Sequence, residues 1–417
     1  MTPPTKALIN ARHFHPHLPH FVEVIDCTLR DGEQSPGTAF SVAEKVDLAY
    51  SLCAAGLTML DAGFPAACAA DVEAIQAIRA LGLPLKVAAT ARALPRDVAL
   101  AAEAHATDVF IFLPTSDFRL QQTLGVDRRD AHNMLQAAAL EAAGHSMGVN
   151  LVFEDATRAD MTWLCNLALQ LAGQVRIERL VLADTVGCAH PASIAQLFRT
   201  VSDRIEGATR LCAHCHNDFG LAVANTITTV ASGASAVTCT VNGIGERAGN
   251  ADLSEVVAGL THLYGVKHGV DPTHLDSLSQ QVEEISGIYV SANKPVTGMN
   301  VFRHESGVHV DATVKQNRSY EFLPAAWLGR RHEYVLGKHS GTAVVRALLA
   351  ETGQVVDNTL VDDILALAKQ SVNNKDHAAY SAAYRSHRHV QRTLLAGQDL
   401  NAISRVLAAK RFTSEEQ

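Results

Sequence analysis

From Phe21 to about Gly265 the chain alternates short apolar, β-branched runs with longer amphipathic runs rich in Ala and Leu. The strand candidates, in order, are "VEVIDCTL", "TMLDAGF", "LKVAAT", "DVFIFLP", "GVNLVFEDA", "RLVLADT", "RLCAHCHND" and "AVTCTVNGIG". Between them lie helix-patterned stretches such as "SVAEKVDLAYSLCAAG", "RDAHNMLQAAALEAAG" and "PASIAQLFRTVSDRIEG". Several close on Gly, a residue that ends helices because it accepts a left-handed backbone. Eight strand–helix units in this order predict an α/β fold, a (β/α)8 or TIM barrel, across residues 21–290. An open doubly wound sheet would carry a Gly-rich phosphate loop after its first strand. Here that strand runs into "RDGEQSPG", and the G-x-G of "NGIGERAGN" reads as a tight loop.

Past the barrel the texture changes. Residues 291–340 are rich in His, Gly, Arg and Asn with little periodicity, so a loop-rich linker is expected there. Helical periodicity returns over 341–417, which closes on "DLNAISRVLAAKRF" and predicts a small helical C-terminal unit. Residues 1–20 read as a disordered tail whose His13, His15 and His17 alternate.

Size and charge narrow the classes. At 417 residues the chain exceeds what one core supports, roughly 250–300, in keeping with a barrel plus a second unit. A net charge of −8 without a basic run leaves no footprint for nucleic acid. No window approaches the ~18 uninterrupted apolar residues of a membrane span. The N-terminal segment lacks the basic and apolar regions of a secretory signal, so a cytoplasmic protein is expected. The eight cysteines are scattered through apolar segments, as reduced buried thiols are. Cys212 and Cys215 form C-x-x-C, yet in a strand they face opposite sides.

The same geometry gives "HCHND" its meaning. His214 and His216 are two apart and share a strand face, which is metal-ligand spacing. A barrel concentrates its chemistry at the C-terminal ends of its strands. Those ends carry Arg30 and Asp31 on strand 1, Glu154 and Asp155 on strand 5, and Asp184 and Thr185 on strand 6. His214 and His216 lie at the end of strand 7, and Glu246, Arg247 and Asn250 follow strand 8. Closure puts strand 1 beside strand 8 and one removed from strand 7, so Asp31 can join the histidines. One Asp and two His with open positions suit a divalent ion acting as a Lewis acid, with Zn, Mn, Mg or Co all compatible. Arg30 adjoins this set and could stabilise an alkoxide formed from a substrate carbonyl. The Thr185 hydroxyl, near a helix N-terminus, suits a substrate carboxylate.

The motifs "DCTLRDGEQSPG", "EDATR", "ADTVG", "HCHNDFGLAVAN", "NGIGERAGN", "HESGVHVD" and "LGKHSG" follow one another over residues 23–341. In that order the chain resembles the 2-isopropylmalate synthase and homocitrate synthase family, the alkylmalate synthases. The resemblance implies a metal-dependent TIM barrel that condenses acetyl-CoA with a 2-oxo acid in a Claisen reaction, giving a 2-hydroxy di- or tricarboxylic acid and CoA. It also implies a homodimer whose C-terminal extension reaches the partner's active site. By resemblance Asp31, His214 and His216 ligate the metal, with Asn250 a candidate fourth. Arg30 then holds the keto oxygen, Thr185 the oxo-acid carboxylate, and Glu154 lies near the reacting centre. His309 and Tyr320 match extension residues that enable deprotonation of the acetyl methyl, and His304 is a neighbouring candidate.

The phrases "NVFRHESGVHVDA" and "RSYEFLPAAWLGRRHEYVLGKHSG" look most like nitrogenase-type homocitrate synthases, which implies 2-oxoglutarate as the acceptor. Too little chain follows "LGKHSG" for the regulatory domain of leucine-inhibited isopropylmalate synthases. At the substrate side, Thr90 stands where lysine-pathway homocitrate synthases have a His, Phe110 where a polar residue is common, and Asn150 and Val152 where Arg and Ser occur. Other acceptors therefore stay open: 2-oxoisovalerate, an aromatic oxo acid giving a benzylmalate, or phosphonopyruvate giving 2-phosphonomethylmalate with Arg92 or Arg119 on the phosphonate. A lyase like hydroxymethylglutaryl-CoA lyase shares the barrel motifs, but "HESGVHVD" and "LGKHSG" belong to the synthases.

Overall fold

The structure, a computed structural model, describes residues 15, 18–205, 207, 209–316, 319–351, 357–372 and 377–394. His13, His17 and the final "DLNAISRVLAAKRF" segment lie outside the described residues. The chain divides into two compact units, 1–288 and 289–417.

The first unit is a closed barrel of eight parallel strands. They are β1 (Glu23–Asp26), β2 (Met59–Asp61), β3 (Lys86–Arg92), β4 (Asp108–Pro114), β5 (Gly148–Glu154), β6 (Arg179–Asp184), β7 (Arg210–Cys215) and β8 (Ala234–Cys239). Each overlaps one of the segments that the hydrophobic pattern predicts, with β3 running two residues past "LKVAAT" and β8 starting two residues before "AVTCTVNGIG". The ring closes where Glu23 to Asp26 pair with Ala236 to Cys239.

The barrel interior is layered. At the N-terminal end Arg179, buried, is held by both oxygens of Glu23 at 2.6 and 2.9 Å and by Asn150 Oδ1 at 2.8 Å. Such a charge stays buried only because it is paired. Above it lies an apolar layer of Ile25, Cys27, Met59, Ala88, Phe110, Val181, Cys212 and Ala236, with Val152 packed against it. Cys212 belongs to this layer, whereas the Cys215 thiol bonds Thr226 on the helix behind β7, so the C-x-x-C pair does face opposite ways. Polar side chains occupy the remaining, C-terminal layer.

The boundary that bears on the site is the end of β1. "VEVIDCTL" reads as a strand up to Leu29, but β1 stops at Asp26. The Asp26 carboxylate accepts from Thr28 N and Thr28 Oγ1, and the amides of Arg30, Asp31 and Gly32 turn back to the Cys27 carbonyl. Local side-chain bonding of this kind competes with ladder pairing. Arg30 and Asp31 consequently project from a tight turn rather than from the strand itself.

The second unit contains β9 (Arg303–His304), β10 (Glu333–Tyr334) and helices Gly307–Lys315, Thr342–Glu351, Asn358–Val372 and His377–Leu394. Its small core joins Val345, Leu349 and Val361 with Ile364 and Leu365. The helix 307–315 lies where no periodicity is visible, because it buries only Val310 and Thr313 and its composition is β-branched. Its start explains two motifs at once. A Cβ on Gly307 would stand 2.7 Å from Gly341 N, and Ser340 Oγ donates to the Glu305 carbonyl. "HESGVH" and "LGKHSG" are therefore packed backbone to backbone.

Candidate active site

Three side chains converge in the C-terminal layer. His214 Nε2 and His216 Nε2 are 3.3 Å apart, and Asp31 Oδ2 lies 3.4 and 3.7 Å from them. All three are buried. The other ring nitrogens settle the tautomers. His216 Nδ1 lies 2.6 Å from the Thr185 carbonyl, which only accepts, so Nδ1 carries the hydrogen. Thr238 Oγ1 donates to the Ala213 carbonyl and hence accepts from His214 Nδ1 at 2.8 Å. Both Nε2 lone pairs then point at the Asp31 carboxylate within a 4.8 Å cluster. Buried lone pairs held face to face fit a divalent cation between them, with N–H donors behind each imidazole as metal sites require.

Charge around the cluster is built the same way. Burial alone would raise the Asp31 carboxyl, but the Arg30 guanidinium beside it holds it well below the usual carboxylate range. Burial works against charge on both imidazoles; it prevails at His214, lowering its pKa, while Asp31 outweighs it at His216 and raises that one. Arg30 bridges two acids, with Nη1 on Asp31 at 2.9 Å and Nε on Asp61 at 2.6 Å. Thr90 Oγ1 also donates to Asp61, at 2.8 Å. Asn250 Nδ2 donates to Asp31 Oδ1 at 3.0 Å and to the Ile244 carbonyl, so the amide orients the carboxylate, and only its oxygen could face an ion. A Cβ on Gly245 would sit 2.2 Å from that amide nitrogen.

Around these residues opens a cavity of about 320 Å³, within the range of small-molecule sites. Arg30, Thr90, Phe110, Val152, Glu154 and Thr185 line it together with the three candidate ligands. Arg119 lines it too, and its guanidinium pairs with Glu154; burial nonetheless raises the Glu154 carboxyl. Thr185 Oγ1 accepts from the Asp155 amide at 2.8 Å.

Two expectations are corrected. Asn150 faces the barrel interior but one layer too deep, beside Arg179 at the N-terminal end, and does not line the cavity. Arg92 turns away to a bidentate pair with Asp97 at 2.6 and 3.1 Å. Asp61, Thr238, Phe64 and Phe112 line the cavity and went unnamed in the sequence reading. Alternation would have found Asp61 and Thr238, which stand two residues beyond the inward Met59 and Ala236. In the second unit His309 stacks on Tyr320 with ring centroids 4.0 Å apart, and both are exposed. His304 is partly buried on β9.

A closed parallel barrel with a two-histidine, one-aspartate cluster at the C-terminal end of its strands, followed by a second, mainly helical unit, defines a class of TIM-barrel protein with a candidate metal site. The chain belongs to the HMGL-like family, whose model matches residues 21–282, and a model described as homocitrate synthase post-HMGL domain-like matches residues 296–376. It is 39% identical over 354 residues to a protein of Ignicoccus hospitalis named "probable 2-isopropylmalate synthase", covering 85% of this chain and 88% of the other. It is 37% identical over 352 residues to a homocitrate synthase of Methanopyrus kandleri, covering 84% and 88%. A solved hydroxymethylglutaryl-CoA lyase from Pseudomonas aeruginosa shares the fold, with a TM-score of 0.59 at 22% identity over 67% of this chain and 96% of that one.

Proposed function

We propose that this chain is an acyltransferase condensing acetyl-CoA with a 2-oxo acid to a 2-hydroxy acid and CoA. The observation that carries the reading is the convergence of Asp31, His214 and His216 beside Arg30 in one cavity, on a chain of this family. A divalent metal held by those three residues, with Asn250 oxygen a candidate fourth ligand, would polarise the oxo acid's keto and carboxylate oxygens. Arg30, anchored through Nε and Nη1, directs its remaining nitrogen to the keto oxygen and stabilises the alkoxide. The Thr185 hydroxyl, whose oxygen already accepts from Asp155, gives its hydrogen to the substrate carboxylate. A base removes a proton from the acetyl methyl, the resulting carbanion adds to the keto carbon, and water cleaves the thioester. His309, Tyr320 and His304 of the extension are the candidates for that proton transfer, delivered within a homodimer, and Glu154 is its partner on the barrel.

The acceptor's side chain is the finer question. The apolar part of the cavity wall is Phe64, Phe110, Phe112, Val152 and Val181, and the Thr90 hydroxyl is committed to Asp61; Gln34, Arg119, Glu154, Glu246 and Arg247 supply its polar part. This wall supports a 2-oxo acid with a short apolar side chain, such as 2-oxoisovalerate or pyruvate. The second reading, 2-oxoglutarate or another acceptor with a distal anion, rests on Arg119, which would have to exchange Glu154 for the substrate.

The test is acetyl-CoA-dependent thiol release over pyruvate, 2-oxoisovalerate, 2-oxoglutarate, phenylpyruvate and phosphonopyruvate, with and without a chelator. Chelator-sensitive turnover is expected, fastest with an apolar acceptor. Preference for 2-oxoglutarate or phosphonopyruvate, lost in Arg119→Ala, would replace the apolar reading with the anionic one. No release with any acid would overturn the activity.

A further inference from the structure

Loops after β6, β7 and β8 meet at one guanidinium that the chemistry above leaves unused. Arg247, after β8, forms a bidentate pair with Asp218, after β7: Nε lies 2.8 Å from Oδ1 and Nη2 lies 2.9 Å from Oδ2. Nη2 also donates to the carbonyl of Thr185, after β6, at 2.7 Å. Asp218 fits there because Gly187, at φ +60, has no Cβ; one would stand 2.6 Å from Oδ2. Nη1 meets Glu246 at 3.5 Å, and both residues line the cavity beside Thr185 and His216.

The Thr185 carbonyl has two lone pairs, and two donors take them. One is Arg247 Nη2; the other is Nδ1 of the candidate ligand His216, at 2.6 Å. The Thr185 hydroxyl oxygen accepts from the Asp155 amide, so backbone and side chain are both held while the hydroxyl hydrogen is left for a substrate. One residue thereby links the imidazole that faces the metal site to the hydroxyl that faces the acceptor. Arg247 itself has φ +56, in the left-handed region that residues with a Cβ avoid. Strain kept in a cavity loop indicates a side chain whose placement matters more than local stability. An ion pair as exposed as Arg247 and Asp218, at 39% and 23%, stabilises a fold too little to account for it.

We infer that Arg247, aimed by Asp218, is a positioning residue that locks the Thr185 carbonyl against His216, so that metal and acceptor carboxylate are held on a common support. The part concerning the acceptor rests on the activity proposed above; the part concerning His216 stands without it. Without Nη2 the loop after β6 gains freedom. His216 then loses the fixed partner of its Nδ1, and the Thr185 hydroxyl loses its aim. Both consequences fall on the metal and the oxo acid rather than on acetyl-CoA.

The experiment compares the full-length wild type with Arg247→Met, Arg247→Gly and Arg247→Lys. Methionine removes the clamp alone, glycine removes clamp and strain together, and a lysine ammonium can stand in for Nη2 between Asp218 and the Thr185 carbonyl. Competition against a chromogenic chelator gives metal affinity, and steady-state thiol release gives KM for each substrate. In Arg247→Met and Arg247→Gly, metal affinity should fall about 10-fold or more and oxo-acid KM rise by a similar factor, with acetyl-CoA KM within about twofold. The Tm of Arg247→Gly should be no lower than that of Arg247→Met, and Arg247→Lys should recover part of both constants. Wild-type metal affinity in Arg247→Met would overturn the inference, and in Arg247→Gly likewise if the methionine variant does not fold. So would an acetyl-CoA KM that rises as far as the oxo-acid KM, or no recovery in Arg247→Lys. If the wild type releases no thiol with any acid, the condensation reading fails and chelator competition decides alone: weaker binding in Arg247→Met with recovery in Arg247→Lys supports the clamp, and equal affinities refute it.

Discussion

Thr238 and the Thr185 carbonyl each take one hydrogen from an imidazole, and that decides which nitrogens of His214 and His216 face Asp31. Thr238→Val keeps the shape and removes the acceptor. The expected outcome is a folded protein whose metal affinity falls about 10–100-fold, the usual effect of losing a partner behind a ligating His. Competition against a chromogenic chelator reads this out, and an unchanged affinity would mean that Thr238 does not set the His214 tautomer. Asn150 shows the other side of the residue scale. A period of two says that it shares the inward face with Val152 and Glu154, but not how deep it lies. Its depth is set by Arg179 and Glu23, from other strands, and no local pattern contains that information.

At the scale of elements, the eight strands were legible because each is a short apolar run closed by turn or cap chemistry, and closure of the ring brought Asp31 to the histidines as strand order implies. What escaped was what depends on contacts between loops. Nothing in "NGIGERAGN" announces that Gly245, at φ +154, leaves room for the Asn250 amide that orients Asp31. Gly245→Ala should displace that amide, costing about 1–3 kcal/mol through strain at a conformation L-residues avoid. A lower Tm together with weaker metal binding is expected; a lower Tm with full affinity would separate the loop from the site. Farther along, His268 ties the chain after the Gly259–Tyr264 turn, with Nδ1 accepting from the Val270 amide and Nε2 meeting Thr261 Oγ1 at 2.8 Å. Burial lowers its pKa from 6.5 to about 4. The unfolded chain binds that proton more readily, so the stability His268 contributes is complete above pH 6.5 and is lost as pH falls from there towards 4. The loss amounts to at most about 3 kcal/mol. Urea midpoints for wild type and His268→Gln between pH 4 and 7 should converge towards acid, and parallel curves would refute the assignment.

At the scale of the whole chain, the two units divide the proposed labour unequally. Every candidate metal ligand, the Arg30–Asp61 bridge and the cavity wall belong to residues 1–288, whereas His304, His309 and Tyr320 belong to the second unit. The barrel's core and its buried Arg179–Glu23 pair are complete within the first unit. A chain ending at Ile288 should therefore keep the metal site and lose the base. It is expected to bind a divalent ion with near wild-type stoichiometry while releasing thiol at least about 10²-fold more slowly than the full chain, the usual worth of a positioned base. Adding back the second unit as a separate chain should restore part of that rate if the base is supplied from it. Full turnover by the barrel alone would place the proton acceptor among its own residues, and Glu154, whose carboxyl burial already raises, would then be the group to substitute.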